Sequence, residues 1–101
     1  MVLLRVFPEL TINCTSGKSL PFGADSLSVK NLKYLSAEQA LKDLAYFLTK
    51  MSKSGQYKIT PKNPWITIGG SYPGALSAWF RNKYPHLTIG ALASSGVVLA
   101  V

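Results

Sequence analysis

The sequence predicts an α/β fold with parallel strands, and three observations carry that expectation. Residues 2–7 are an apolar run of strand length closed by Pro8. Residues 36–51 repeat apolar side chains at helical spacing, and residues 65–80 read as strand, glycine-flanked turn and helix in immediate succession. Strands that alternate with helices are joined by crossovers, and crossover-linked strands in one sheet lie parallel.

Each element follows from its residues. The run at 2–7 has the composition of a buried strand, and residues 13–26 are rich in Ser, Gly, Pro and Asp, which makes a loop. Ser36 is placed to cap a helix, with Gln39 three residues on reaching back in a capping box. Ala37, Ala40, Leu41, Leu44, Ala45, Leu48 and Met51 then share one face, while Glu38, Lys42 and Lys50 lie off it. Residues 52–63 are a polar connection with Gly55 and Pro61, and residues 65–68 alternate in the manner of a strand. The next helix is expected to bury Ala75, Leu76, Trp79 and Phe80, with small Gly74 and Ala78 letting it lie close to the sheet. It stops before Pro85, which disfavours helical geometry at Tyr84. Residues 87–93 are a continuous apolar run, expected as a strand parallel to 65–68 through a right-handed crossover.

The turn at Gly69-Gly70-Ser71-Tyr72-Pro73-Gly74 carries the chemistry. A sharp strand-to-helix turn pushes a serine hydroxyl above the sheet in a strained backbone conformation, the nucleophile elbow of α/β-hydrolases. Gly69 and Gly74 remove side chains that would collide there, and Pro73 suits a first helical turn whose N–H groups lack partners anyway. The usual pattern is G-x-S-x-G; here Gly70 and Pro73 flank the Ser71-Tyr72 pair and the second glycine is one place late. Ser71 is the candidate nucleophile, and the backbone N–H of Tyr72 is the candidate oxyanion donor. Ser94 and Ser95, at the end of the next parallel strand, are candidates to line the pocket on the same sheet edge.

Other residues fit chemistry less well. His86, the lone histidine, follows a helix that carries the chain to the far edge of the sheet, out of reach of Ser71 as a base. The four acids, Glu9, Asp25, Glu38 and Asp43, all precede the serine, whereas the α/β-hydrolase order places the acid after it. Gly17-Lys18-Ser19 ends like a phosphate-binding loop, but Ile12 stands where another glycine is needed. One Cys and one His lack ligand spacing, so no metal and no cofactor is expected, and Cys14 has no internal disulfide partner. Asn13-Cys14-Thr15 fits the glycosylation acceptor pattern, which makes Asn13 a candidate modification site.

Composition bounds the alternatives. Hydrophobic residues make up 48% and aromatics 11%, which argues for a packed piece and against disorder. At 101 residues the chain is short for a sheet covered on both faces by helices, so residues 1–101 are expected to be part of a larger catalytic domain. No apolar run approaches the ~20 residues of a membrane span, and Arg5 and Pro8 interrupt the first residues too soon for a signal peptide. The net charge is +7, from 11 Lys and Arg against 4 Asp and Glu. The basic residues come as dispersed pairs, Lys30/Lys33, Lys50/Lys53, Lys58/Lys62 and Arg81/Lys83, without a run or an RNA-binding aromatic motif. Nucleic acid is therefore not the expected partner.

The wording of the C-terminal half carries a resemblance. Gly69-Gly70-Ser71-Tyr72-Pro73-Gly74-Ala75-Leu76-Ser77-Ala78-Trp79-Phe80-Arg81, then Lys83-Tyr84-Pro85-His86 and Gly90-Ala91-Leu92-Ala93-Ser94-Ser95, resembles the lysosomal Pro-X carboxypeptidase and dipeptidyl peptidase II family of serine peptidases. Gly17-Lys18-Ser19-Leu20-Pro21-Phe22-Gly23 and Tyr34-Leu35-Ser36-Ala37-Glu38-Gln39-Ala40-Leu41-Lys42-Asp43 agree, so the likeness covers about residues 17–101. Pro73 looks like the plant-type members. Ahead of Gly17 the family usually carries a Glu-His-Arg-Tyr-Tyr run, and this chain has Ile12-Asn13-Cys14-Thr15-Ser16.

The resemblance implies a serine exopeptidase that cleaves after proline, acting as a carboxypeptidase or a dipeptidyl peptidase on peptides through an acyl-enzyme on Ser71. It also implies a triad Asp and His and a helical cap domain beyond Val101, and a secreted, lysosomal or vacuolar setting. The elbow alone equally fits an esterase or lipase, an inactive truncated product has the same sequence, and a small binding module is the non-enzyme reading. Oligomeric state is left open.

Overall fold

The computed structural model describes residues 2–6, 20, 22–54, 58–97 and 99, with 2–6 and 27 as backbone. Asn13, Cys14 and the Gly17-Lys18-Ser19 segment lie outside the described residues. Three parallel strands, β1 (Val2–Val6), β2 (Trp65–Gly70) and β3 (Gly90–Ser94), form one sheet in the order β1-β2-β3. Helix α1 (Ala37–Ser54) lies between β1 and β2 in sequence, and α2 (Tyr72–Lys83) between β2 and β3. The registers place Leu3 opposite Ile66, Val6 opposite Gly69, and Gly70 opposite Ser94. The α/β class with parallel strands is thus observed.

β2 is central because its residues fill a two-sided position. Trp65 and Thr67 are buried, and Ile66 and Ile68 on the opposite face are half-buried. Leu41, Leu44 and Leu48 of α1, Trp65 of β2, and Leu76 and Phe80 of α2 make one buried cluster, so both helices cover the Trp65 face. Phe80 is fully buried and Leu48 nearly so. Burying side chains of this size contributes about 1.5–3 kcal/mol each. The Trp65 indole N–H donates to the Ser52 hydroxyl at 3.0 Å, which satisfies the polar edge of the ring as it enters the core.

The predicted stripe on α1 is the core face: Ala40, Leu41, Leu44 and Leu48 are buried, with Ala37, Ala45 and Met51 packed beside them. The Ser36 hydroxyl accepts from the Gln39 N–H at 3.2 Å, the first half of the capping box. The Gln39 side chain does not reach back; it donates to Asp43 Oδ1 at 2.8 Å, one turn further along. A carboxylate acceptor makes that the stronger bond. The helix also runs on to Ser54, into what the sequence reads as connection. Upstream, Gly23–Leu27 is a 3-10 helix where a loop is expected, with Gly23 at φ 57° and the buried Ser26 hydroxyl accepting from the Phe22 N–H at 3.1 Å.

Two further expectations are corrected. Trp79 is 38% exposed on the outer side of α2, where it packs edge-on against Tyr72 with ring centroids 6.3 Å apart. The apolar run at 87–93 is not one buried strand. The Leu87 N–H closes a turn onto the Tyr84 carbonyl at 3.1 Å, and the strand starts only at Gly90. β3 is an edge strand, and Leu92 is 57% exposed. Parallel strands read as apolar runs because they are normally covered on both faces and paired on both edges, whereas among the described residues β3 pairs with β2 alone and its residues from Ala91 to Ser94 stay exposed.

Candidate active site

Ser71 is the single residue between the end of β2 and the start of α2, at the C-terminal edge of the sheet, and it is exposed. Its backbone sits at φ 60°, ψ −129°, a combination that crowds the Cβ of any L residue. Hydrogen bonds hold both sides of it. The Ser71 N–H donates to the Ser94 carbonyl at 3.0 Å, and the Ser71 carbonyl accepts from the N–H groups of Gly74 at 2.9 Å and Ala75 at 3.2 Å. The hydroxyl makes no capping bond to the helix it precedes, so it stays available for other chemistry.

The flanking glycines differ in what they permit. A Cβ on Gly69 would lie 2.1 Å from the Pro73 carbonyl oxygen, and one on Gly74 would lie 2.6 Å from the Ser94 carbonyl oxygen and 3.1 Å from that of Gly69. Strand and helix therefore approach through their backbones, and both positions exclude a side chain. Gly70 meets nothing within 4 Å, so the close approach falls on Gly69 and Gly74, as the sequence predicts. Pro73 is buried in the first turn of α2, where its missing N–H costs no hydrogen bond. Tyr72 is the first helical residue, and its N–H precedes the i−4 ladder.

β3 brings Ser94 and Ser95 to the same edge. Both are exposed, and Ser95 also has a positive φ of 50°. What joins Ser94 to the turn is its main-chain carbonyl, which accepts from Ser71. Gly96 is a neighbour the sequence reading passed over. A Cβ there would lie 3.1 Å from the Ala75 nitrogen, and the Ser-Ser-Gly ending of the strand is the signal that marks it.

His86 is elsewhere. α2 has 12 residues and rises about 18 Å, carrying the chain from Ser71 to the opposite edge, where His86 is exposed in the turn before β3. It lines a groove together with Trp65, the first residue of β2. Asp43 and Glu38 belong to α1, where the Glu38 carboxylate is held below its ordinary range by Lys83 and then Lys42. No group of three or more metal-ligating side chains occurs among the described residues, and no helix among them is long and apolar enough to cross a membrane.

Comparison with known proteins adds what geometry cannot. Residues 16–101 match the profile of serine carboxypeptidase S28, starting where the sequence resemblance also begins. The chain is 54% identical over 90 residues to "Probable serine protease EDA2" of Arabidopsis thaliana, covering 84% of this chain and 18% of that protein. It is 47% identical over 83 residues to the lysosomal Pro-X carboxypeptidase of Mus musculus, and 45% identical over 83 residues to that of Homo sapiens. In both cases 81% of this chain and 16% of the relative are covered. It thus spans less than a fifth of the length of these relatives. With 86 consecutive residues matched and the serine turn inside them, the chain belongs to the serine carboxypeptidase S28 family, a family of serine peptidases.

Proposed function

We propose that residues 1–101 are part of an α/β-hydrolase domain in which Ser71 is the nucleophile of a serine exopeptidase acting after proline. The observation that carries this reading is the Ser71 backbone, strained at φ 60° between a strand and a helix that glycine alone lets meet. Strain of this kind persists only where the surrounding structure over-determines it, and it concentrates at sites of chemistry.

In the proposed mechanism the Ser71 hydroxyl gives its proton to a base and its oxygen attacks the carbonyl carbon of a prolyl residue. The Tyr72 N–H steadies the resulting oxyanion, and the amine leaves with the proton. Water then hydrolyses the acyl-enzyme and frees Ser71. His86 lies at the opposite sheet edge, so the base is assigned to residues beyond these 101, together with the acid that orients it. A helical cap domain is likewise assigned to the remainder. The preference for proline rests on relatives named Pro-X carboxypeptidase, and so does a lysosomal setting. Carboxypeptidase and dipeptidyl-peptidase action both fit.

The test is fluorophosphonate labelling of a chain extended to the full length of the family. Ser71 should carry the label and Ser71→Ala should abolish it, whereas labelling that persists in the variant assigns the nucleophile to another residue.

A further inference from the structure

The far edge of the sheet holds a second feature. A groove of about 650 Å³ opens beside the N-terminal end of β2, between the end of α1 and the turn that follows α2. Lys53, Lys62, Arg81 and His86 line it, and no Asp or Glu does. Three of these come from three different basic pairs of the sequence, so the fold gathers charge that the chain disperses.

We propose that this groove docks an acidic segment of polypeptide, one carrying carboxylates beside a bulky apolar side chain. Charge complementarity supplies the first argument: three cationic side chains, Lys53, Lys62 and Arg81, with no acid among them leave a positive surface that an anion would neutralise. The second comes from Arg81. Arg81 Nη1 donates to the carbonyls of Pro85 and Thr88, which fixes the guanidinium against the turn. A guanidinium has five N–H donors, and those on Nε and Nη2 suit a carboxylate.

The apolar lining decides the class of partner. Leu87, Ile89 and three prolines contribute to the walls, which suits an aliphatic or aromatic side chain. Nucleic acid would want aromatic faces on which bases stack. Trp65, the aromatic residue in the core beneath, is only 5% exposed and offers no such face.

The experiment measures binding of a fluorescein-labelled Glu-Leu alternating nonapeptide, by anisotropy, to a chain extended to the full length of the family. Lys53 and Lys62 are exposed, so Lys53→Glu/Lys62→Glu removes groove charge without touching the core. Lys30→Glu/Lys33→Glu makes the same change in net charge elsewhere. The groove variant should weaken binding about tenfold or more and the control variant less than about twofold. Replacing Glu by Gln in the peptide should abolish binding. Equal weakening by both variants, undiminished binding of the Gln peptide, or displacement by oligothymidylate of equal charge at equal concentration would each overturn the proposal, the last by showing a generic polyanion surface.

Discussion

The main-chain N–H of Ser71 donates to the carbonyl of Ser94 at 3.0 Å, so the turn that ends β2 is tied to the last residue of β3. The same carbonyl lies 2.6 Å from where a Cβ on Gly74 would be. Ser94 thus holds the serine turn on one side and excludes a side chain from the helix on the other.

Glycine substitutions at adjacent positions should separate. Gly69→Ala should destabilise the fold by at least about 2 kcal/mol, because its Cβ would meet backbone that cannot move aside. Gly70→Ala has open space and should be neutral or stabilising by about 0.5 kcal/mol. Urea denaturation of the two variants checks this, and equal effects would mean that β2 and α2 do not approach so closely.

Strain at Ser71 has a thermodynamic signature. Ser71→Gly should raise stability by about 1 kcal/mol, since glycine accepts φ 60° without crowding and that gain exceeds its extra unfolded-state entropy. Ser71→Val should lower it. A thermal melt that places the glycine variant below wild type would show that the turn is relaxed.

Glu38 joins the two helices, with Lys83 of α2 at 3.3 Å and Lys42 of α1 at 3.4 Å. Its folded-state pKa is lowered, first by the hydrogen bond from Lys83 and then by that from Lys42. A depressed carboxylate contributes stability above its unfolded pKa and loses it as pH falls through the folded value, so this tie should weaken only on acidification below the ordinary Glu range. Following the Glu38 carboxyl by NMR should give a titration midpoint below that of an unperturbed Glu, moved up by Lys83→Ala. High salt should do the same, because the pair is on the surface. A midpoint indifferent to Lys83→Ala would place the cause elsewhere.

These 101 residues alone should not hydrolyse prolyl peptides. A serine hydroxyl is a weak nucleophile until a base within hydrogen-bond reach takes its proton, and His86 is at the other edge of the sheet. Incubating the purified chain with prolyl peptides, against a Ser71→Ala control, measures this. Turnover above the control would require a base near Ser71 within these residues.

Local signals carried the sequence a long way. The stripe on α1, the alternation of β2, the cap at Ser36 and the stop at Pro85 each depend on neighbours within a turn or two, and each was legible. The glycine requirement at 69 and 74 was legible for the same reason, since a serine turn between strand and helix crowds its own backbone. Tertiary packing alone decided the rest. Residues 87–93 are apolar but for Thr88, and composition does not tell a covered strand from an edge strand; only the pairing does, β3 having β2 as its one strand partner among the described residues. Trp79 has the hydrophobicity of a core residue, yet Leu76 and Phe80 take the core face of α2 and Trp79 is left outside with Tyr72. Gln39 chose Asp43 over the cap because a carboxylate one turn along is the better acceptor. Lys53, Lys62 and Arg81 sit in three separate pairs along the chain, and the last turn of α1, the turn at 60–63 and the last turn of α2 bring them to one groove, because charge clustering is a property of the folded surface and sequence spacing does not encode it.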